Sequence, residues 1–379
     1  MSVAVPFPPL SSTDERLATA SGWRLFWLRF RRHRVAFASL WIVLGLYAVA
    51  AFAEFLAPNP PDRTMGRYTY APPQPLGLFW TDPATGETSF RPHVDGYRVE
   101  IDPVALRRHF VPDPSRPIDV CLLPRVEPYR MWGVIPLEHR LLGPCDESEP
   151  FYLMGADRLG RDVLSRTIHG ARISLSVGLI GVALSLVLGI AIGGAAGYVG
   201  GILDSAVQRL TEVLRSLPTI PLWLGLAAAL PREWDALTVY FAITVLLSLI
   251  GWIELARVVR GRFLALRGED FVLAARIEGM HPVRVVVRHM VPQVTSHVIA
   301  TATLAIPAMI LAETALSFLG LGLQPPLVSW GVLLQEAQNI RSVAAAPWLF
   351  FPGGAVVLAV LCLNFLGDGL RDAADPYDV

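Results

Sequence analysis

Residues 173–198 read ISLSVGLIGVALSLVLGIAIGGAAGY, a run without a single charged side chain. A helix needs about 20 predominantly apolar residues to cross a bilayer, so this run predicts a membrane-spanning helix. Over all 379 residues, 53% are apolar and 17% are charged. Ordinary soluble domains have about 25% charged residues, so the composition also indicates an integral membrane protein.

Five further runs have a similar length and are bounded by charge or proline. They cover residues 35–55, 207–230, 236–255, 294–321 and 348–366. The run at 207–230 contains Glu212 and Arg215 in its first turns, so its apolar part begins closer to Leu217. The sequence therefore predicts an all-α integral membrane protein with six transmembrane helices.

The distribution of arginine predicts the orientation of these helices. Five arginines lie shortly before the first run with no acid among them: Arg24, Arg29, Arg31, Arg32 and Arg34. Cytoplasmic flanks carry the excess of positive charge, so we expect segment 1–34 to be cytoplasmic and the first helix to span 35–56. Six crossings then place the C-terminus in the cytoplasm too.

A cleaved signal peptide is the alternative interpretation of the first run, because Ala51-Phe52-Ala53 resembles a small-residue cleavage site. The apolar core of a signal peptide has about 7 to 15 residues, and this run is longer. Cleavage would also disturb the agreement between the charge pattern and an even number of crossings. We therefore interpret the run as a retained membrane helix.

The segment between the first two runs differs from the rest of the chain. Residues 58–150 hold 17 of the 31 prolines, together with ten arginines and thirteen acids. We expect residues 57–154 to form a large, loop-rich extracytoplasmic insertion with little regular structure. Contact with an external partner and simple packing on the outer rim remain open as its role.

The three cysteines are scattered along the chain. Cys121 and Cys145 both fall in the insertion, where an oxidising compartment favours a disulfide, whereas Cys362 lies in the last apolar run. Three such cysteines do not form a zinc or iron–sulfur pattern, so we expect no metal site.

The segment between the fourth and fifth apolar runs combines basic residues with small ones. On a helix, Ala275 and Gly279 share one face, which would let the backbone approach another surface closely. A surface helix that ends at a C′ glycine explains the same residues. The residues alone leave both interpretations open.

Several motifs resemble the dipeptide, oligopeptide and nickel permease family of ATP-binding cassette importers. The motifs are GADRLGRDVLSR at 155–166, GARIS at 170–174, ALSFLGLG at 315–322, SWG at 329–331, and GDGLRD at 367–372 with Asp375-Pro376. In addition, Ala274-Ala275, Gly279 and Pro292 resemble the "EAA" signature of importer permeases, although Leu273 stands where its glutamate would be. Together they cover 155–379 and are most similar to the second, C-type permease.

The resemblance implies a type I importer permease fold in the cytoplasmic (inner) membrane of a bacterium. Transmembrane helices 2–6 would lie in the core at 155–379, with a cytoplasmic coupling loop at 264–292. The residues implied in coupling are Phe271, Ala274, Ala275, Arg276, Glu278, Gly279, Met280, Arg284 and Pro292. The implied partners are a second related permease, two cytoplasmic ATPase subunits and an extracytoplasmic solute-binding protein. Such a chain is not an enzyme and binds no cofactor, since ATP and Mg belong to the ATPase subunits.

The absence of lysine agrees with that division of labour, because all 32 basic residues are arginine and a standard P-loop needs a lysine. A net charge of zero gives no global field that would attract nucleic acid. Membrane lipid is the remaining expected partner.

Four charged residues near or within the apolar runs have two interpretations each. Glu313 lies in the fifth run, where an ionisable group costs at least ~2.5 kcal/mol, and it either lines the pathway or stabilises helix packing. Arg161, Arg166 and Arg172 precede or begin the second run, and they either snorkel to the interface or contact substrate.

Two other functional classes explain parts of the sequence. A proton-coupled secondary transporter would use intramembrane charges but would not need a docking segment. A non-transporting scaffold would explain the insertion but not the cytoplasmic loop. For an importer, peptides are the leading solutes, followed by nickel chelates, opines and other small solutes.

Overall fold

The computed structural model describes residues 22–81, 87–101, 108–231 and 233–374. The first 21 residues of the predicted N-terminal segment 1–34 lie outside the described residues, as does the Asp375-Pro376 motif. Within the described part, long helices form the body of the molecule, and a β domain is inserted after the first long helix.

The described α-helices are numbered in chain order. They are α1 (Gly22–Arg32), α2 (Arg34–Ala51), α3 (Ala53–Leu56), α4 (Val163–Val199), α5 (Gly201–Ser216), α6 (Thr219–Ala228), α7 (Ala236–Leu266), α8 (Asp270–Ile277), α9 (Pro282–Val285), α10 (Val291–Phe318), α11 (Trp330–Gln335), α12 (Ile340–Ala345) and α13 (Phe351–Ala374). A π-helical turn at Val286–Met290 joins α9 to α10.

Five helical stretches of the described chain are long and apolar enough to cross a membrane. They are Arg34–Ala51, Val163–Val199, Ala236–Leu266, Pro282–Phe318 and Pro347–Ala374. They match five of the six predicted runs, so the apolar length of the sequence located them correctly. A multi-pass helical membrane protein follows from their number and length.

The remaining run, at 207–230, was predicted as one continuous membrane-spanning helix, and this prediction is wrong. The chain divides there into amphipathic α5 and a short apolar α6 of 10 residues. Leu217 between them has extended backbone angles. The cause is Pro218, because a proline disfavours helical conformation in the residue before it.

Glycines allow α4 to lie unusually close to α7. An added Cβ on Gly189 would lie 2.8 Å from Cβ of Leu255, and one on Gly197 would lie 2.8 Å from the carbonyl oxygen of Arg260. Small residues at such spacing let two membrane helices bring their backbones together. This tight pair forms the centre against which α10 and α13 also pack.

The insertion contains six described strands: β1 (Leu76–Thr81), β2 (Thr88–Ile101), β3 (Arg108–Leu122), β4 (Arg125–Met131), β5 (Ile135–His139) and β6 (Leu142–Pro144). β1, β2, β3 and β6 form an antiparallel sheet in the order β1-β2-β3-β6, and β4 pairs with β5 as a separate hairpin. Val94, Ile118, Val120 and Phe151 form a small buried core under the sheet.

The prediction of little regular structure in the insertion is therefore wrong. Its prolines are compatible with strands because they lie at bulges or at an open edge, where no ladder hydrogen bond is lost. Pro92 falls where the β1–β2 register shifts, and Pro114 falls in the bulge of β3. β6 pairs only with residues 120–122 of β3, so the outer edge of β3 beside Pro112 and Pro117 is not paired with β6.

Candidate functional site

The segment between α7 and α10 is held firmly against the ends of these two helices. Val272 of α8 and Val285 of α9 are fully buried, as are Phe263 of α7 and Met290 of the π-helical turn. These side chains form one apolar cluster with the start of α10. The segment is therefore packed against the ends of two membrane-spanning helices.

Gly279 terminates α8 and does not lie on a helical face. Its φ is +76°, and the amides of Gly279 and Met280 donate to the carbonyls of Arg276 and Ala275, both over 3.1 Å. This is the Schellman geometry of a C′ glycine. Ala275 is itself buried in the apolar cluster. Of the two interpretations that the residues left open, the structure shows the helix that ends at a C′ glycine. Ala275 and Gly279 share no open face, since Ala275 is buried and Gly279 ends the helix.

The exposed side of the segment carries four large aliphatic side chains among its charged residues, and the sequence did not reveal them as a surface. Leu273 and Ile277 are exposed and lie four residues apart on α8, and Val283 and Val287 are exposed with the same spacing after it. Ile277 has 86% of its surface exposed. We call these four residues the coupling surface. The available signal was the recurrence of apolar residues among arginines in a loop outside the apolar runs.

The other predicted coupling residues lie around this surface. The Arg276 guanidinium stacks over the ring of Tyr198 at 5.7 Å, so it connects α8 to the end of α4. Met280 packs against the buried cluster. The remaining predicted residues are exposed: Phe271, Ala274, Glu278, Arg284 and Pro292.

Glu313 is fully buried inside α10 and is held by two serines. The Ser317 hydroxyl donates to Oε1 over 2.9 Å, and the Ser174 hydroxyl donates to Oε2 over 3.2 Å. Ser174 also accepts the amide of Trp330 at the start of α11. The carboxylate therefore joins α4, α10 and α11, and its exposed surface is 0% in this conformation.

A cavity of about 490 Å³ opens between α4, α5, α6, α7 and α10. Val182, Leu247 and Met309 are among its apolar lining residues, and Arg215, Glu254 and Thr301 also contribute. The indole N–H of Trp223 in its wall has no hydrogen-bond partner among the described residues. Glu254 was missed by the sequence analysis, although it is an acid within the apolar run 236–255.

Acidic partners fix the arginines near the start of α4. Asp157 pairs with Arg161 at 2.7 Å and with Arg166 at 3.3 Å, and the Arg166 side chain is buried. Arg172 pairs with Glu54 at 2.6 Å. Snorkelling to a lipid interface is therefore wrong for Arg166, because its guanidinium is buried inside the protein.

Asp162 caps α4 from the same region. Its carboxylate accepts the amides of Leu164 and Ser165, and the Asn59 side chain lies beside it. Burial raises the pKa of Asp162 to about 6, even though hydrogen bonds from Ser165 and Asn59 act in the opposite direction.

In the insertion, a disulfide joins Cys121 of β3 to Cys145, with Cα atoms 5.0 Å apart. Cys362 is a free thiol buried in α13. Among the described residues, no group of three or more His, Cys, Asp or Glu side chains has an arrangement that could hold a metal ion.

Two family models match the chain. Residues 186–377, just over half of the sequence, match the binding-protein-dependent transport system inner membrane component. Residues 21–73 match the N-terminal TM domain of oligopeptide transport permease C. The strands of the insertion lie between the two matches.

Curated relatives are similar over most of their own length. The oligopeptide transport system permease protein OppC of Haemophilus influenzae is 40% identical over 239 residues, which cover 63% of this chain and 74% of the relative. For the Escherichia coli K12 protein of the same name the values are 41%, 63% and 76%. The dipeptide transport system permease protein DppC of Bacillus subtilis is 39% identical, over 59% of this chain and 68% of the relative.

These matches confirm the resemblance seen in the motifs and the role of a transmembrane permease. The first membrane-spanning stretch lies within the match at 21–73, and the other four lie within the match at 186–377 or extend into it. This chain belongs to the family of inner membrane components of binding-protein-dependent transport systems.

Proposed function

We propose that this chain is the C-type permease subunit of an ATP-driven importer of peptides or similar small solutes. The names of its relatives, which are oligopeptide and dipeptide permeases, support the solute class. The single observation that carries the coupling role is the exposed coupling surface on a segment packed against α7 and α10. A second, related permease provides the other half of the pathway.

The coupling surface docks into a groove of a cytoplasmic ATPase subunit. Four exposed aliphatic side chains on a rigid segment suit a hydrophobic contact, and the exposed charges of Glu278 and Arg284 suit its rim. ATP and Mg are bound by the two ATPase subunits, and this chain is not catalytic. Its complete lack of lysine supports this assignment, because a standard P-loop needs one.

The N- and C-termini lie in the cytoplasm, and the β domain lies outside. The arginines before α2 and those between α7 and α10 support this orientation. The orientation requires a further crossing between α4 and α7, which α5 and α6 provide as a broken helix pair. The β domain then faces the extracytoplasmic solute-binding protein.

The cavity between α4, α5, α6, α7 and α10 is the part of the translocation pathway that this chain contributes. Its mostly apolar wall and the few polar groups within it suit the varied side chains and polar backbone of a peptide. Glu254, Arg215 and the unpaired Trp223 N–H are the groups that contact the solute's backbone or termini.

A matched pair of variants tests the coupling role. Ile277→Asp introduces a charge on the coupling surface, and Ile340→Asp introduces one at a similarly exposed isoleucine (86% and 85%) of α12, outside that surface. We expect Ile277→Asp to lose the ATPase subunits on purification and to lose ATP-dependent uptake, because a buried unpaired charge weakens the contact. Ile340→Asp should retain the ATPase subunits.

Uptake is measured in proteoliposomes with ATP and a solute-loaded binding protein, and without a proton gradient. Equal ATPase retention and equal uptake in the two variants would refute docking through Ile277. Uptake that needs a proton gradient and no ATP would refute the importer itself.

A further inference from the structure

The turn of the β4–β5 hairpin exposes three neighbouring apolar side chains. We call Trp132, Val134 and Ile135 the hairpin patch. Trp132 is 52% exposed and Val134 is 77% exposed. Such a concentration of exposed apolar surface indicates an interaction site.

Hydrogen bonds fix the hairpin patch at the end of the first membrane-spanning helix. The Trp132 indole N–H donates to the carbonyl of Ala51, the last residue of α2, over 2.7 Å. Its ring lies 6.1 Å from that of Phe52. Nearby, the Leu141 amide donates to the Phe55 carbonyl over 2.8 Å. The patch is therefore continuous with the apolar surface of α2 and lies where that helix ends.

The backbone is strained to present Trp132 at this position. Trp132 has a φ of +54° and is followed by Gly133 at +73°. Left-handed backbone is common for glycine but unfavourable for a bulky residue, and it persists where the surroundings require it. Here the left-handed conformation holds the indole against α2, and Val134 of the same turn stays exposed.

We propose that the hairpin patch inserts into the lipid bilayer interface around the end of α2. Tryptophan is enriched at this depth because its ring is apolar while its N–H needs a partner, and here Ala51 is that partner. The occupant is lipid, because α2 continues the patch with exposed apolar side chains such as Trp41 and Leu44. Arg130, exposed beside the turn, is placed to contact lipid phosphates. The placement depends on α2 crossing the membrane and not on the identity of the solute.

Single-cysteine labelling tests the insertion in the complete importer, reconstituted in nanodiscs. Val134→Cys carries a polarity-sensitive fluorophore, and Ile135→Cys provides a second position in case the first variant folds poorly. The native cysteines are a disulfide and a buried thiol, so neither competes for the label. Ser115→Cys is the control, because Ser115 is an exposed polar residue of the same domain.

We expect lipids with a quencher near the headgroup to quench the label at Val134 at least about threefold more than the label at Ser115. Iodide in the water should quench it less than the control. Quenching of Val134 by iodide alone would show that the patch is in water. Protection from both quenchers would show that a protein covers it, whether the binding protein or the partner permease. Either of these two results would overturn the proposal.

Discussion

Arg172 in α4 and Glu54 in α3 form a two-point ion pair, with both guanidinium-to-carboxylate distances at 2.6 Å. The same guanidinium donates to the carbonyls of Ala50 and Ala51 at the end of α2. The last carbonyls of a helix have no partner within the helix, so Arg172 also caps α2. One side chain thus fixes the first membrane-spanning helix to the second.

Replacing this arginine should destabilise the protein more than replacing a surface arginine. Arg172→Met leaves Glu54 and the Ala50 carbonyl without the donor that Arg172 provides, whereas the Ala51 carbonyl keeps the Trp132 indole N–H. We expect a loss of about 3 kcal/mol in the free energy of unfolding. Arg125→Met is the matched control, because Arg125 pairs with Glu138 at an exposed site, where such pairs contribute about 0 to 1 kcal/mol. Thermal unfolding of the purified variants measures both. Equal shifts in melting temperature would contradict the capping role.

Asp162 should give stability a distinct dependence on pH. Its pKa is raised by burial from 3.8 to about 6, so the folded state binds this proton more tightly than the unfolded state. The resulting stabilisation is complete below about pH 4 and is lost as the pH rises through about 6, and it amounts to at most about 3 kcal/mol.

Asp162→Asn isolates this effect, because asparagine keeps an oxygen that can cap α4 but does not titrate in this range. We expect the melting temperature of the parent protein to fall relative to that of the variant between about pH 4 and pH 6. Thermal unfolding curves at several pH values make the comparison. Curves that stay parallel over this range would contradict the raised pKa.

The apolar runs could be predicted because the length of a membrane-spanning helix depends on local composition. Pro218 is also a helix-breaking signal in the sequence. Because apolar residues lie on both sides of it, the run was nevertheless predicted as one helix. The β domain could not be predicted in this way. Its strands pair over long separations, and the bulges that accommodate Pro92 and Pro114 exist only once the partner strand is in place.

In the coupling segment, the orientation of the side chains could not be predicted from the sequence. Both Ala275 and Gly279 are small, yet one is buried and the other ends the helix with positive φ. Periodicity could not separate a docking face from a terminating glycine. Ile277 emerged only from the structure, because its exposure depends on which face of α8 packs against α7 and α10.

Glu313 should contribute mainly to the packing of α4, α10 and α11. Glu313→Gln keeps an oxygen for one serine and an amide for the other, so we expect a small change in melting temperature and uptake close to the parent value. Glu313→Ala leaves Ser174 and Ser317 without their acceptor and creates a cavity, which should cost about 2 to 5 kcal/mol.

Thermal unfolding and uptake by the reconstituted importer distinguish the roles of Glu313. A Glu313→Gln variant with the parent melting temperature but no uptake would assign the carboxylate to the pathway. Unchanged melting and uptake in both variants would exclude a role in packing and a role in transport.

The disulfide between Cys121 and Cys145 should stabilise the β domain. β3 and β6 are paired only over residues 120–122 and 142–144, and the core beneath them is small, so few other contacts hold the intervening chain. By the chain-entropy model, closing a loop of this length contributes about 3 kcal/mol. We expect reduction, or replacement of both cysteines by serine, to lower the free energy of unfolding of the domain by a similar amount and therefore to lower the melting temperature. Cys362→Ala should leave the response to reduction unchanged, because that thiol is buried in α13.

A non-reduced digest of protein from intact cells should contain the two peptides linked through Cys121 and Cys145. Two alkylated free thiols would contradict both the bridge and the extracytoplasmic placement of the domain.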